Sequence, residues 1–208
     1  MIDNYNALSI GQMMEIDAIL RDEDAEDLDK QVRIIAVLSG MTEAQLLALP
    51  LPEFSALAAQ TAFLRKPLES YPEKKDSYTV GEFTLIPASD PSKILTAQYI
   101  DFQERVKESV TDIPAILSIF LVPEGKTYGE GYDVAAVKQA ISKEMPMADA
   151  FGLAGFFFKS LADLIVASLT SCKQDALRMK DKEKAGKILR NLATVEKLFV
   201  SGGDGLPM

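Results

Sequence analysis

Apolar residues return every three or four positions along most of the chain, which is the spacing of helices with one buried face. Between Ser9 and Leu20 this pattern predicts an amphipathic helix with Ser9 as its N-cap. A second pattern runs from Leu28 to Leu38, and Gly40 is placed to end that helix as a C-cap. The further predicted helices cover residues 42–49, 53–64, 95–106, 112–122, 133–143 and 148–199.

One region between the helices follows a different pattern. Pro, Lys, Glu and Ser dominate after Arg65, which indicates a linker. Tyr78–Val80 and Phe83–Ile86 then alternate around Gly81, as the two strands of a short hairpin do. The sequence therefore predicts a mainly α fold in which two helical units are joined by a linker and a short β-hairpin. The predicted boundaries are 1–66 for the N-terminal unit, 67–92 for the linker and hairpin, 93–200 for the C-terminal unit and 201–208 for a flexible tail.

The order of segments indicates an internal repeat. Leu8–Glu15 resembles Ile94–Asp101, and Leu49–Glu53 resembles Met145–Asp149 after an intervening helix. The second copy is longer by roughly ten residues, which the glycine-rich loop at 123–132 would absorb, since insertions between repeats fall in loops. One interpretation is a true duplication. The other is that amphipathic helices with proline near their start resemble one another.

The composition of the 208 residues excludes several kinds of chemistry. There is no histidine and one cysteine, Cys172, so Ser-His-Asp, Cys-His and histidine-metal sites and an internal disulfide cannot be built from this chain. The 22 basic and 31 acidic residues give a net charge of -9, which would repel a phosphate backbone. Lys159 and Asp163 interrupt the apolar run from Gly152 to Leu169 and disfavour a membrane helix. We therefore expect a cytoplasmic protein that is not an enzyme and binds neither nucleic acid nor a membrane.

Two motifs that could bind a cofactor or metal are incomplete. Gly125–Thr127 matches the end of a phosphate-binding P-loop, but Phe120 occupies the position of the first glycine. The acidic run at 22–27 has the alternate spacing of a calcium-binding EF-hand loop. However, Asp27 replaces its glycine and Arg33 replaces its bidentate glutamate. The sequence therefore predicts no cofactor and no metal site.

The first third of the chain contains a series of short motifs in a fixed order. They are Leu8–Gly11, the acidic stretch Asp22–Asp29, an apolar helix ending in Leu38–Thr42, then Leu49–Leu51, Glu53–Phe54 and Phe63–Leu64. This series resembles the tail assembly chaperones of tailed bacteriophages. The hairpin and the second helical unit depart from the smallest members of that family.

The resemblance implies a non-enzymatic protein that binds the long, apolar, helical tape measure protein. Such a chaperone keeps its client soluble until tail tube subunits polymerise around it, in the cytoplasm of the host. Several modest contacts, strengthened by self-association, would suffice for this task. The candidate partner-binding residues, which include the two tyrosines of the glycine-rich loop, are Met13, Met14, Leu51, Phe54, Tyr128, Tyr132, Met147 and Phe151.

Two other classes of protein fit the same pattern of helices. A structural virion component, such as a connector, ring or internal cargo protein, would use these units for permanent assembly and would remain in purified particles. A helical adaptor of cellular origin is the third interpretation.

Overall fold

The computed structural model describes residues 1–66, 71–88, 90 and 93–178, except for the side chains of 162–169, 171–173, 175 and 176. Part of the predicted linker, the predicted helix end at 179–199 and the predicted tail at 201–208 lie outside the described residues. The α-helices are α1 Ile10–Arg21, α2 Asp27–Ser39, α3 Glu43–Leu47, α4 Leu51–Gln60, α5 Thr96–Glu108, α6 Ile113–Phe120, α7 Val134–Glu144 and α8 Met147–Arg178. The strands are β1 Tyr78–Val80, β2 Phe83–Pro87 and β3 Leu121–Pro123. The predicted mainly α fold with a short hairpin is confirmed.

The caps read from the sequence define several of these helix ends. The Ser9 hydroxyl accepts a hydrogen bond from the Gln12 N–H, and the Gln12 side chain accepts one from the Ser9 N–H, forming a reciprocal capping box. Gly40 ends α2 with φ of 71°, a left-handed conformation that glycine adopts without a steric penalty. Asp133 caps α7 by accepting from the Ala135 N–H. These local signals account for the predicted helix starts and stops.

The third strand was not predicted, because residues 112–122 were assigned to one helix. In the structure α6 ends at Phe120, and β3 pairs antiparallel with β2 in the register Leu85 with Pro123. Outside this pairing, the Ala88 N–H donates to the Phe120 carbonyl and the Glu124 N–H donates to the Thr84 carbonyl. The free edge of the hairpin thus pairs with Leu121–Pro123, of which the local apolar pattern alone would leave Leu121 and Val122 helical.

The chain does not divide where the predicted boundary at 66 lies. The described residues up to 88 and from 93 to 155 form one compact unit, and Asp90 with the described residues from Phe156 onward belongs to a second unit. The reason is that α1 packs not only on α2 but also on α6 and α7, so elements of both predicted halves share one core. Fully buried side chains of this unit include Leu8, Ile10, Ile16, Ile35, Leu46, Leu85, Ile116, Leu117, Phe120, Leu121 and Ile141.

The second unit is described by a stretch of α8 from Phe156 onward, together with Asp90. In it the rings of Phe156 and Phe157 meet edge to face with centroids 5.4 Å apart. Such a pair adds a modest stabilisation to the burial of its rings.

The starts of α1 and α5 share a hydrogen-bond pattern. In each helix the third residue is glutamine, and its side-chain oxygen accepts the N–H of the N-cap residue at 3.0 Å. Gln12 Nε2 donates to the Val37 carbonyl in α2 at 3.3 Å. Gln98 Nε2 donates to the Ile119 carbonyl in α6 at 2.7 Å. Each glutamine therefore joins the start of its helix to the next helix along the chain.

Candidate protein-binding site

The predicted partner-binding residues differ widely in accessibility. Leu51 leaves 75% of its surface exposed, whereas Met147 leaves 6% and belongs to the core. Met147 is therefore unavailable to a partner, contrary to its selection from the sequence. Phe54 is half-buried and packs against a small cluster around Ile35. The other candidates, all half-buried, are Met13, Met14, Tyr128, Tyr132 and Phe151.

Two further exposed leucines lie near the end of α1 and the start of α2, which a short acidic loop connects. Leu20 is 53% exposed and Leu28 is 60% exposed. Sequence reasoning placed both in the buried stripes of their helices and missed them as surface residues. Both flank an acidic run, and that position is the signal that would have identified them, because carboxylates keep a helix end in solvent.

Residues 20–28, which we call the acidic leucine corner, combine this apolar surface with a concentrated negative charge. Five carboxylates stand between the two leucines, namely Asp22, Glu23, Asp24, Glu26 and Asp27. Arg33 Nη1 donates to Asp22 Oδ2 at 2.8 Å, and Lys30 Nζ reaches the Leu20 carbonyl at 3.4 Å. The guanidinium hydrogen bond lowers the pKa of Asp22 below its ordinary value, so this carboxylate stays ionised.

A groove of about 460 Å³ runs between α1 and α2 beside this corner. Ile19 and Arg33 line it near the corner, and Gly40 and Met41 line it toward the other end of α2. Ala18, Ala36 and Val37 also line it, together with the polar side chains of Gln12, Glu15 and Glu43. The groove and the corner together could accommodate an amphipathic segment with an apolar face and basic flanks.

The two proline-centred helix junctions have the same local pattern and different surroundings. At the α7–α8 junction the Ile10 N–H donates to the Met145 carbonyl at 3.0 Å, and the Met147 N–H donates to the Leu8 carbonyl at 2.8 Å. The segment before α1 thus forms a two-bond bridge with the junction. At the α3–α4 junction, Leu49–Leu51, no hydrogen bond within the described residues satisfies the Leu49 carbonyl or the Leu51 N–H.

Of the two tyrosines of the glycine-rich loop, Tyr128 joins the loop to α5 by a side-chain hydrogen bond. The Tyr128 hydroxyl donates to Asp101 Oδ2 at 2.6 Å. Burial, followed by this hydrogen bond, raises the pKa of Tyr128 well above its ordinary value. The Tyr132 hydroxyl is shielded from solvent and has no hydrogen-bond partner by distance and angle among the described residues. Burial raises its pKa, and the nearby Gly129 backbone acts in the opposite direction.

A cleft of about 490 Å³ lies between α5, α6 and the start of α7. Its cationic side chains are already paired, since Lys138 meets Asp112 at 2.7 Å and Arg105 meets Glu108 at 2.7 Å. With its charges compensated in this way, the cleft has no concentrated positive surface for an anionic ligand.

The described residues contain no group of three acidic or cysteine side chains placed to hold a metal ion. In the same part of the chain, every helix is too short or too polar to cross a membrane. Comparisons of the chain with protein-family models, with curated proteins and with solved structures found no match.

Proposed function

We propose that the protein is a non-enzymatic tail assembly chaperone whose acidic leucine corner binds an apolar, helical segment of a tape measure protein. The observation that carries this proposal is the exposure of more than half of both Leu20 and Leu28 beside five carboxylates. A partner that matches this surface presents apolar side chains to the leucines and Lys or Arg to the carboxylates.

The expected strength of one such contact is modest. Covering the exposed part of each leucine contributes about 1 kcal/mol, because complete burial of a leucine is worth about 2 kcal/mol. The carboxylates favour basic flanks of the client, and salt weakens this part of the interaction. Many copies bound along a long client would together keep it soluble, whereas each single contact remains reversible.

The test is co-expression with the tape measure protein and measurement of the soluble fraction of that client. We expect wild type to raise the soluble fraction. The double variant Leu20→Ser/Leu28→Ser should lose most of this effect, since losing about 2 kcal/mol corresponds to roughly 30-fold in affinity. These substitutions leave the net charge unchanged, so they test the apolar contact alone.

The matched control is Val110→Ser/Leu177→Ser, which changes two exposed apolar residues outside the corner. It should solubilise the client as wild type does, with an unchanged thermal unfolding midpoint for both double variants. A client that is no more soluble with the protein than without it would overturn the proposal, as would full activity of the Leu20→Ser/Leu28→Ser variant. Retention of the chain in purified particles would identify a structural virion component instead.

A further inference from the structure

The α7–α8 junction, Met145–Met147, is covered by another segment of the chain and shows what such a junction can bind. Leu8–Ile10, the segment before α1, bridges to Met145–Met147 through one N–H donated in each direction. In the repeat, Ile94–Thr96 corresponds to Leu8–Ile10, and Leu49–Leu51 corresponds to Met145–Met147. The first copy of the repeat therefore supplies the segment, and the second copy supplies the junction.

The segment Ile94–Thr96 and the junction Leu49–Leu51 are both open, meaning that no other described segment pairs with their backbone. Leu95 is 44% exposed, Thr96 is exposed and Leu51 is among the most exposed leucines. No hydrogen bond among the described residues uses the Thr96 N–H or the Ile94 carbonyl. These two groups correspond to those that Ile10 and Leu8 use in the covered bridge. The open segment and the open junction thus carry complementary, unused backbone groups.

We propose that two copies of this chain associate by the same bridge, with Ile94–Thr96 of one copy pairing with Leu49–Leu51 of the next. The Thr96 N–H donates to the Leu49 carbonyl of the other copy, and the Leu51 N–H of that copy donates to the Ile94 carbonyl. Each pairing uses two different surfaces, so a dimer keeps a free junction on the first copy and a free segment on the second. The contact is head to tail and extends into a ring or a short open chain.

Features of the chain itself select a second copy as the occupant. The bridge requires an extended apolar segment that continues directly into a helix, and Leu95 has the same extended conformation as Ser9, with ψ of 148° and 157°. Gln98 accepts the Leu95 N–H as Gln12 accepts the Ser9 N–H, which leaves the next amide for a partner. The open segment is therefore prepared in the same way as the segment that already binds a junction.

The association should be weak. A β-carbon on Gly11 would lie 2.5 Å from the Ser142 carbonyl oxygen, so glycine lets α1 approach α7 closely. The corresponding residue of α5 is Ala97, and its side chain limits the approach to the bridge itself. A small interface of this kind corresponds to a Kd on the order of 0.1 mM. With a Kd of this size, copies associate where their local concentration is high, for example when several are bound along one client.

The test uses sedimentation velocity of the full chain over about 0.01 to 1 mM, a range that brackets this Kd. Thr96→Pro removes the N–H donor at the first residue of α5, where proline is tolerated and the extended Leu95 suits the residue before it. Leu51→Asp removes the apolar contact at the first residue of α4, where an acidic residue favours the helix. We expect wild type to form dimers and larger species, and each variant alone to stay monomeric.

Mixing the two variants separates this proposal from any symmetric contact. The Leu51→Asp chain keeps an intact segment and the Thr96→Pro chain keeps an intact junction, so an equimolar mixture should form dimers and nothing larger. Leu177→Asp, which introduces the same charge at an exposed residue of α8, should associate as wild type does. The Leu20→Ser/Leu28→Ser variant should also associate normally, because client binding and self-association use different surfaces.

Wild type that sediments as a monomer throughout the range would overturn the proposal. So would variants that associate as wild type does, or a mixture that stays monomeric while wild type dimerises. Loss of client binding by Leu51→Asp in a chain whose wild type stays monomeric would assign the junction to the client instead. The far-ultraviolet circular dichroism of both variants should match wild type, and the dimer of the mixture shows that both are folded.

Discussion

The two proline-centred junctions differ in whether a second segment of the chain covers them. At α7–α8, Met147 is buried and its N–H is bonded to the Leu8 carbonyl. At α3–α4, Leu51 at the corresponding position is three-quarters exposed. Local sequence thus builds both junctions, and a distant segment determines which one becomes part of the core. The same chemistry is structural in one half and available for binding in the other.

The first turns of α1 and α5 also differ in how closely another element packs against them. Gly11 lies in the first turn of α1, where the Ser142 backbone leaves no room for a side chain. The corresponding Ala97 in α5 is exposed. A glycine in a helix costs about 1 kcal/mol relative to alanine, and at Gly11 the close contact between α1 and α7 offsets that cost.

The largest expected effect comes from truncating the two corresponding junction residues. Met147→Ala should lower the free energy of unfolding by about 2 to 5 kcal/mol, because it opens a cavity in the core. Leu51→Ala should change it by less than about 0.5 kcal/mol, because the side chain is mostly in solvent. Urea unfolding monitored by circular dichroism measures both values. It should be done at dilute protein, where association does not contribute.

Equal losses for Met147→Ala and Leu51→Ala would contradict the comparison between the junctions. A large loss for Leu51→Ala in dilute solution would mean that the α3–α4 junction contributes to the core of a single chain.

A smaller effect is expected from filling the close contact between α1 and α7. Gly11→Ala places a methyl group against the Ser142 carbonyl and should destabilise the fold by about 1 to 3 kcal/mol, as overpacking does. Gly155→Ala is the matched control, since nothing lies within 4 Å of its added carbon. In α8 that change should be neutral or stabilise by up to about 1 kcal/mol. Thermal unfolding of the two variants gives the comparison, and a neutral Gly11→Ala would show that α1 can move away from α7 at no cost.

The sequence predicts the helices because their ends depend on neighbouring residues. Ser9, Thr42 and Asp133 each cap a helix with their own side chain, and Gly40 ends one by its left-handed backbone. The hairpin is equally local, since Val80 pairs with Phe83 across a two-residue turn. The third strand depends instead on β2, which is more than thirty residues away in sequence, and this explains why the local pattern predicts a helix for Leu121 and Val122.

The candidate site was less predictable than the helices. Helical spacing gives the side of a helix that carries apolar residues, but it does not give the neighbour that covers each of them. Met147 and Leu51 therefore look alike in sequence, and Leu20 and Leu28 look like members of buried stripes. Exposure in these cases is decided by packing between distant segments and by the acidic loop that holds the ends of α1 and α2 in solvent.

The smallest expected effect concerns the glycine-rich loop at residues 123–132. Tyr128 from this loop donates to Asp101 in α5, whereas the corresponding Glu15 in α1 is exposed. Tyr128→Phe removes this hydrogen bond and should lower the free energy of unfolding by about 1 kcal/mol at neutral pH. The measurement is urea unfolding of wild type and variant at a series of pH values.

The difference in the free energy of unfolding between wild type and Tyr128→Phe should decrease at high pH. The folded-state pKa of Tyr128 is raised above its ordinary value of 10.0, so the folded chain favours the protonated phenol. The stability that this group contributes is therefore complete below pH 10 and is lost as pH rises through the folded-state pKa. Tyr5 and Tyr78 also have raised pKa values, but they are present in both proteins and their contributions cancel in the difference. The gap between wild type and Tyr128→Phe should narrow above pH 10, and a gap that widened there would show that the loop does not hold Tyr128 protonated against Asp101.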